Sequence, residues 1–194
     1  MIAVHHTNIY RLKDYGNHLK NLNDEDKSSR FGYKANDHMV DQLIVQMIYH
    51  PNEHELWYAK LDDEIVGWGH LAKNNDNSWE LAVSVEVEHQ RKGIGNKLIV
   101  EMLYWAKFHH VSEIYMNCIE SNHVIQHLAA KNNLEIRERL FGERTAAIEI
   151  PNPSIFETNV QLWKEYNEIL KDFGKLRKRL SELWANAVTP NSLL

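Results

Sequence analysis

The stretch of sequence that decides the fold is Trp79–Gly95, WELAVSVEVEHQRKGIG. Apolar and polar residues alternate from Trp79 to Val87, which predicts a half-buried strand. A basic turn that contains glycine follows and opens a helix, and such a turn presents free backbone N–H groups to an anion. Glu80, near the start of the strand, is a potential base. The stretch therefore favours a protein that binds a phosphorylated cofactor and carries out proton chemistry beside it.

The composition of the chain narrows the class of protein. Its 194 residues suffice for one domain of ordinary size and an appendage, and 43% hydrophobic with 25% charged residues is typical of a soluble globular protein. A net charge of −5 argues against nucleic acid as the main partner. We expect no membrane partner either, because no segment approaches the roughly 18 consecutive apolar residues of a membrane span.

Cysteine and histidine usage bears on location and on metals. The single cysteine, Cys118, excludes an internal disulfide, and the N-terminal residues lack the apolar run of a signal peptide. Both observations favour a reducing, cytoplasmic location. Twelve histidines raise the question of a metal site, and His123 and His127 share one face of a predicted helix. No further ligand accompanies them, so we expect no metal.

Hydrophobic periodicity predicts strands and helices in a mixed order. Predicted strands cover residues 7–12, 56–61, 65–71, 79–87, 113–118, 134–140 and 144–150. Predicted helices cover residues 14–22, 94–110 and 122–131, together with one that Asn36 or Asp37 caps and Pro51 ends. Residues 23–30 are either a loop or a helix start, and the last two strands form a hairpin that turns near Phe141 and Gly142. Strands separated by helices, with hairpins at both ends, predict a mixed α/β sheet.

The sequence predicts that the C-terminal part of the chain is a separate structural element. The segment Pro151-Asn152-Pro153 ends a first domain of residues 1–150, and residues 151–194 form a linker and a long amphipathic helix from Ser154 to about Ala185. An a/d heptad seam runs along this helix through Leu162, Tyr166, Ile169, Phe173, Leu176, Leu180 and Leu183. The helix either folds back on the first domain or pairs with a second chain. Its heptad regularity favours a homodimer through residues 154–185.

Two motifs carry a resemblance to a known family. The segment Gln90–Gly95, QRKGIG, matches the Q/R-x-x-G-x-G/A signature of the GNAT superfamily of N-acetyltransferases. The stretch Asn122–Leu134, NHVIQHLAAKNNL, resembles the second cofactor motif of that family. The resemblance covers roughly residues 3–150 and implies a GNAT-type mixed, mostly antiparallel central sheet flanked by helices. Details in Leu22–Phe31, in the Glu-Leu-Ala-Val strand of residues 80–83 and in the helix that starts at Asn122 are similar to the branch that includes bacterial protein lysine acetyltransferases.

The resemblance implies acetyl-CoA as the cosubstrate and assigns residues to it. The pyrophosphate would bind at the helix start, through backbone amides and side chains of Gln90, Arg91, Lys92, Gly93, Ile94 and Gly95. Lys97 is a further cation within reach of a phosphate. The backbone of Val85 and Val87 would pair with the pantetheine arm, and Asn122 would touch the same arm.

The resemblance also implies the chemistry. Glu80 matches the position of the base that removes a proton from the acceptor amine, either directly or through a water. Many members have a tyrosine at the position of Ala129 to protonate the departing thiolate, so the general acid is unassigned here. We expect an acetyl-CoA-dependent N-acetyltransferase that acts on a primary amine, of a small molecule or of a protein lysine. The alternative is a non-catalytic acyl-CoA-binding module that assembles through its C-terminal helix.

Overall fold

The structure, a computed structural model, describes residues 1–7, 9–74, 78–119, 122–138 and 143–188. The chain divides into two compact units, Met1–Asn152 and Pro153–Leu194. The first unit holds a central sheet and five helices within the described residues, and the second holds one long helix.

A seven-stranded sheet runs through the first unit in the order β1-β2-β3-β4-β5-β7-β6. Its strands are β1 (Ile2–Thr7), β2 (His54–Leu61), β3 (Glu64–Lys73), β4 (Ser78–Val85), β5 (Glu113–Ile119), β6 (Glu135–Glu138) and β7 (Glu143–Glu149). Neighbouring strands are antiparallel except β4 and β5, which are parallel. The predicted mixed, mostly antiparallel sheet is confirmed.

The parallel pair at the centre of the sheet parts after a short contact. Residues Ser78–Glu80 of β4 pair with Glu113–Tyr115 of β5, and within the described residues the ladder goes no further. Both strands nevertheless continue, β4 to Val85 and β5 to Ile119. The facing backbone groups beyond the ladder have no strand partner on that side, so they can pair with an extended ligand. This gap positions the candidate site.

The five helices of the first unit are α1 (Leu12–Asn21), α2 (Asp24–Phe31), α3 (Asp37–Tyr49), α4 (Ile94–Phe108) and α5 (His123–Lys131). Three of them begin at an asparagine whose side chain accepts a backbone N–H of the first turn. Asn23 caps α2 at 2.7 Å, Asn36 caps α3 at 3.0 Å and Asn122 caps α5 at 3.1 Å. The predicted cap at Asn36 is confirmed.

The sheet buries a hydrophobic cluster on each face. On one face α4 packs against the strands, in a cluster that includes Trp57, Leu71, Leu98, Ile99, Met102 and Ile114. On the other face α1 and α3 contribute to a cluster with Tyr15, Leu19, Val40, Met47, Leu56 and Trp68. Gly69 sets how closely α4 approaches, because a Cβ there would lie 2.8 Å from the sulfur of Met102. Burial of each large apolar side chain contributes about 1.5–3 kcal/mol to this packing.

Two predictions about local structure need correction, and one open alternative is resolved in favour of a helix. The first strand is residues 2–7, not 7–12, because Ile2 and Val4 carry the alternation that pairs with β2, and Ile9–Arg11 form a 3₁₀ turn. Residues 24–31 are a helix, which the Asn23 cap starts. The strand predicted to end at Val87 ends at Val85, and Val87 begins a 3₁₀ turn. The turn predicted near Phe141 and Gly142 lies outside the described residues.

The second unit consists of α6 (Ile155–Val188). A capping box starts it, in which the Ser154 N–H donates to Glu157 at 2.8 Å and the Glu157 N–H donates to the Ser154 hydroxyl at 3.2 Å. The seam side chains within the described part of the helix are exposed, namely Leu162, Tyr166, Phe173, Leu176, Leu180 and Leu183. The side chain of Ile169 lies outside that part. None of the described helices is both long and apolar enough to cross a membrane.

Candidate active site

A cleft of about 340 Å³ lies beside the end of β4. Four segments line it: α2, the last residues of β4, the turn into α4, and the first turns of α5. Of the residues predicted to bind the cofactor, Val85, Gln90, Arg91, Gly93, Ile94, Gly95 and Asn122 all line this cleft. Val87 and Lys92 do not, and Val87 is 54% exposed in its 3₁₀ turn. The structure therefore brings most of the predicted set into one cavity.

The start of α4 is shaped to receive an anion. Gly93 is its N-cap residue, with a φ of 80° that favours glycine. The first i to i−4 bond of the helix joins the Lys97 N–H to the Gly93 carbonyl at 3.1 Å, so the N–H groups of residues 94–96 have no acceptor within the helix. Residues 93–96 line the cleft. Unpaired amides and the positive end of the helix dipole make this a phosphate-binding geometry.

Two polar side chains near this helix start have structural partners. The Gln90 amide donates to the carbonyl of Val85 at 3.1 Å and to the Asp26 carboxylate at 3.2 Å, so it ties the turn to β4 and to α2. Lys97 donates to the carbonyl of Ile2 at 3.2 Å, which directs this cation to β1. Arg91 has a φ of 58° and lines the cleft, so its positive charge is available to a phosphate bound there.

Glu80 lies in a second, smaller cleft of about 60 Å³. The Asn117 amide donates to Glu80 Oε1 at 3.2 Å, and the Thr145 hydroxyl donates to Asn117 Oδ1 at 3.2 Å. Glu80 belongs to the last residue pair of the β4–β5 ladder, opposite Tyr115, so it sits where the two strands part. The chain Thr145–Asn117–Glu80 orients a carboxylate that can accept a proton. Sequence reasoning identified Glu80 but missed both supporting residues, which come from β5 and β7.

The two clefts adjoin each other. Four residues line both of them, Ser29, Arg30, Val83 and Ile125. A ligand that enters along the phosphate-binding cleft and ends at these residues would place its terminus beside Glu80. The arrangement can therefore bring a cofactor's reactive end and a proton acceptor together.

A polar cluster that the sequence did not reveal holds Arg30 in place. One guanidinium nitrogen, Nη2, donates to the Tyr15 hydroxyl at 2.9 Å and to His70 Nδ1 at 3.1 Å. Because a guanidinium only donates, His70 accepts at Nδ1 and donates through Nε2 to His54 Nδ1, 3.0 Å away. Four separate elements supply these residues, so no local spacing encodes the cluster.

Burial and the charge of Arg30 keep the nearby histidines neutral. Burial, reinforced by Arg30, lowers the pKa of His70 well below its ordinary value. The same two causes, burial first, lower the pKa of His18 to about 4. His18 Nε2 lies 2.9 Å from the hydroxyl of Ser84 and so joins α1 to β4.

Two further positions bear on the expected chemistry. Ala129 is wholly buried on the inner side of α5, in the hydrophobic cluster against α4, so it brings no polar group to the clefts. His123 and His127 are exposed on the same helix. Among the described residues, no group of three His, Cys, Asp or Glu side chains is placed to hold a metal.

Comparison with known proteins identifies the family to which the chain belongs. The profile of the Acetyltransferase (GNAT) family matches residues 18–133, a span that includes both clefts. The chain belongs to the GNAT acetyltransferase family. A search of curated protein sequences found no significant match.

Solved structures of GNAT acetyltransferases share the fold. They include the PaiA N-acetyltransferase of Thermoplasma acidophilum in complex with coenzyme A, at 16% identity and a TM-score of 0.60 over 77% of this chain and 99% of that one. The spermidine N-acetyltransferase of Vibrio cholerae, in complex with CoA and spermine, has 18% identity and a TM-score of 0.62 over 77% and 95%. The ribosomal-protein-alanine N-acetyltransferase of Brucella melitensis has 15% identity and a TM-score of 0.57 over 76% and 99%. The predicted GNAT fold is confirmed.

Proposed function

We propose that this GNAT acetyltransferase transfers an acetyl group from acetyl-CoA to a primary amine by direct attack, with Glu80 as the general base. One observation carries the proposal. The oriented carboxylate of Glu80 lies in a cleft that shares Arg30, Val83 and further residues with the anion-binding cleft at the start of α4. That arrangement suits a ternary complex in which donor and acceptor meet at the shared residues.

The larger cleft suits the donor. The pyrophosphate would bind the free amides of residues 94–96, with Gly93 and Gly95 giving close access and Arg91 adding charge. The pantetheine arm would lie against the edge of β4 that β5 leaves open, where Val85 lines the cleft and its carbonyl accepts the Gln90 amide, and would pass Asn122. The sequence-based roles of Val87 and Lys92 have less support, since both lie outside the cleft.

The smaller cleft suits proton removal from the acceptor. A free alkylammonium has a pKa near 10, so most of the amine is protonated and unreactive at neutral pH. Glu80 would accept this proton, directly or through a water, and the amine would then attack the thioester carbonyl. Where many family members have a tyrosine this chain has Ala129, so the thiolate leaves without a phenol beside it.

Both small-molecule and protein amines remain candidates for the acceptor. One relative is a spermidine acetyltransferase and another is a ribosomal-protein-alanine acetyltransferase, and both share the fold at low identity. The competing proposal is an acyl-CoA-binding module without catalysis, which the missing phenol at Ala129 favours. Release of CoA thiol from acetyl-CoA should be measured across polyamines, aminoglycosides, amino acids and lysine peptides. Turnover with an amine supports the enzyme, whereas tight CoA binding without turnover across the panel supports the module.

We also propose that α6 pairs with α6 of a second copy of the chain. The support is the exposed heptad seam, which would otherwise present Leu176, Leu180 and Leu183 to water. The single cysteine suits a reducing compartment, from which we infer a cytoplasmic location.

A further inference from the structure

We propose that Arg30 stabilises the negative charge that develops on the CoA sulfur as the thioester bond breaks. The inference rests on the proposed function, because it takes the thioester to lie where the two clefts meet. Arg30 is one of the four residues that line both clefts, and it is the one among them that carries a charge. Arg30 is therefore the positively charged residue at the junction.

The charge of Arg30 has no counterion in the described part of the protein. Its hydrogen-bond partners, Tyr15 and His70, are neutral acceptors, and no described carboxylate lies within 4.0 Å of the guanidinium. Both partners bind Nη2, so the three N–H groups on Nη1 and Nε have no protein acceptor among the described residues. A half-buried cation without a counterion is costly. A transient anion at the junction would explain why the site holds an unpaired cation.

The side chains around Arg30 are mostly uncharged, so they do not neutralise its positive charge. His18 and Tyr15 face it from α1 and His70 faces it from β3, and both histidines stay neutral at physiological pH because burial and Arg30 lower their pKa values. Glu80 lines the smaller cleft from β4 and carries the only other charge on that lining. Once Glu80 has accepted the proton of the amine, Arg30 is the remaining charge on the lining of the smaller cleft. The other charged residues of the larger cleft are Glu25, Asp26 and Arg91.

The transfer step balances with these two residues. Glu80 first passes the proton of the ammonium to solvent. The lone pair of the neutral amine then attacks the carbonyl carbon, Glu80 takes one N–H proton, and the carbonyl electron pair moves to oxygen. The C=O bond then re-forms, the C–S bond breaks, and its electron pair leaves on sulfur beside Arg30. A guanidinium does not give up a proton under these conditions, so the thiolate is protonated by water and Glu80 returns its proton to solvent. Arg30 thus supplies charge where other members supply a phenol.

The thiol of bound CoA gives a test that needs no acceptor. A thiolate absorbs more strongly in the far ultraviolet than the thiol does, so a difference titration of the CoA complex against its desulfo-CoA counterpart reports the pKa of the bound thiol against that of free CoA. A cation within about 4–6 Å should lower that pKa by about 1–2 units in the native protein. Arg30→Gln should raise the pKa of the bound thiol by about one unit. Arg30→Lys keeps the charge, so its thiol pKa should lie between those of the native protein and Arg30→Gln.

Two controls separate this effect from general damage. Lys27→Gln changes a cation of the same helix that pairs with Asp37 and lines neither cleft, so the thiol pKa should stay native. Desulfo-CoA, which lacks the sulfur, should bind to native protein and to Arg30→Gln, and this binding shows that the variant folds and keeps its cofactor cleft.

The outcomes are distinguishable. A thiol pKa that is the same in native protein and Arg30→Gln, with CoA bound in both, would overturn the role of Arg30 and leave the proposed function standing. If the thiol pKa is unchanged and Arg30→Gln also has a raised KM for carboxylate-bearing amines, Arg30 binds the acceptor instead. Failure of the native protein to bind CoA would overturn both proposals.

Discussion

At the scale of single residues, Glu80 depends on a neighbour that sequence reasoning did not find. Asn117 donates to its carboxylate and is itself held by Thr145. The family resemblance, together with the place of Glu80 near the start of an alternating strand, singled out Glu80. They could not identify Asn117, because the contact forms only when β5 folds beside β4, 37 residues away.

Replacing Asn117 with aspartate should therefore change the pH dependence of the reaction. A second carboxylate against Glu80 disfavours the ionised form of both groups, so the acid limb of the kcat/KM profile should move up by about one pH unit. Steady-state rates from pH 5 to 9 with an accepted amine would measure this. Asn117→Ser, which is uncharged, is the control, and an unmoved limb in Asn117→Asp would contradict the orientation of Glu80.

Substitution of the two glycines of the phosphate-binding turn should affect different properties of the protein, stability in one case and CoA binding in the other. Gly93 has a φ of 80°, so Gly93→Ala should lower the free energy of unfolding by about 1–2 kcal/mol. At Gly95 a Cβ would meet Leu128 at an ordinary 3.5 Å, so Gly95→Ala should unfold like the native protein yet bind CoA more weakly. Urea unfolding and CoA calorimetry on both variants would check this. Equal unfolding of the two variants would argue against the left-handed conformation at Gly93.

At the scale of secondary structure, the link between α1 and β4 should make stability depend on pH. His18 has a pKa of about 4 when folded and about 6.5 when unfolded, so the unfolded state binds more protons between these values. The stability that neutral His18 provides is thus present above pH 6.5 and is lost as the pH falls towards 4. The loss amounts to about 3 kcal/mol at most.

Urea unfolding at pH 7, 6, 5 and 4 would measure this dependence. His18→Gln keeps a polar side chain near Ser84 and cannot charge, so its stability should fall less over the same range. His70 is present in both the native protein and His18→Gln, so the free energy of unfolding should still fall somewhat with falling pH in both. Identical slopes would show that His18 is not buried in its neutral form.

Local sequence patterns predicted most elements, and the exceptions have a physical reason. The strand, turn and helix of residues 79–108 follow from alternation, glycine and helical spacing, all of which are local. Val87 continues the alternation but not the strand, because the Glu86 N–H donates to Val66 and the His89 N–H then closes a turn on Glu86. The Arg30 cluster draws on residues from α1, α2, β2 and β3, and such convergence is visible only in the folded chain.

At the scale of the whole molecule, the seam of α6 should control assembly. Leu176 and Leu180 lie on the seam and are about half exposed, at 53% and 49%. Changing both to glutamate would place charges in an apolar a/d interface, so a dimer should become a monomer by light scattering. Lys178→Glu changes charge off the seam and should leave the mass of the dimer intact. A monomeric native protein would contradict pairing through α6.

The whole molecule also shows which part of the function the sequence could predict. The anion-binding turn has a local motif, so the donor followed from Gln90–Gly95 together with the family resemblance. The smaller cleft, which we propose for the acceptor, is lined by residues from several elements, among them α2 and β5, and these have no shared motif. The acceptor class is therefore open after the fold is known, and an amine panel will determine it.

The most direct test of the account is the pH–rate profile of Glu80→Gln beside that of the native protein, with acetyl-CoA and an accepted amine. Loss of a general base should lower the rate at neutral pH by about 10²–10⁴-fold and remove the acid limb of the profile. Affinity for acetyl-CoA should not change, because the phosphate-binding turn is intact. A variant with the native rate and the native profile would contradict Glu80 as the base.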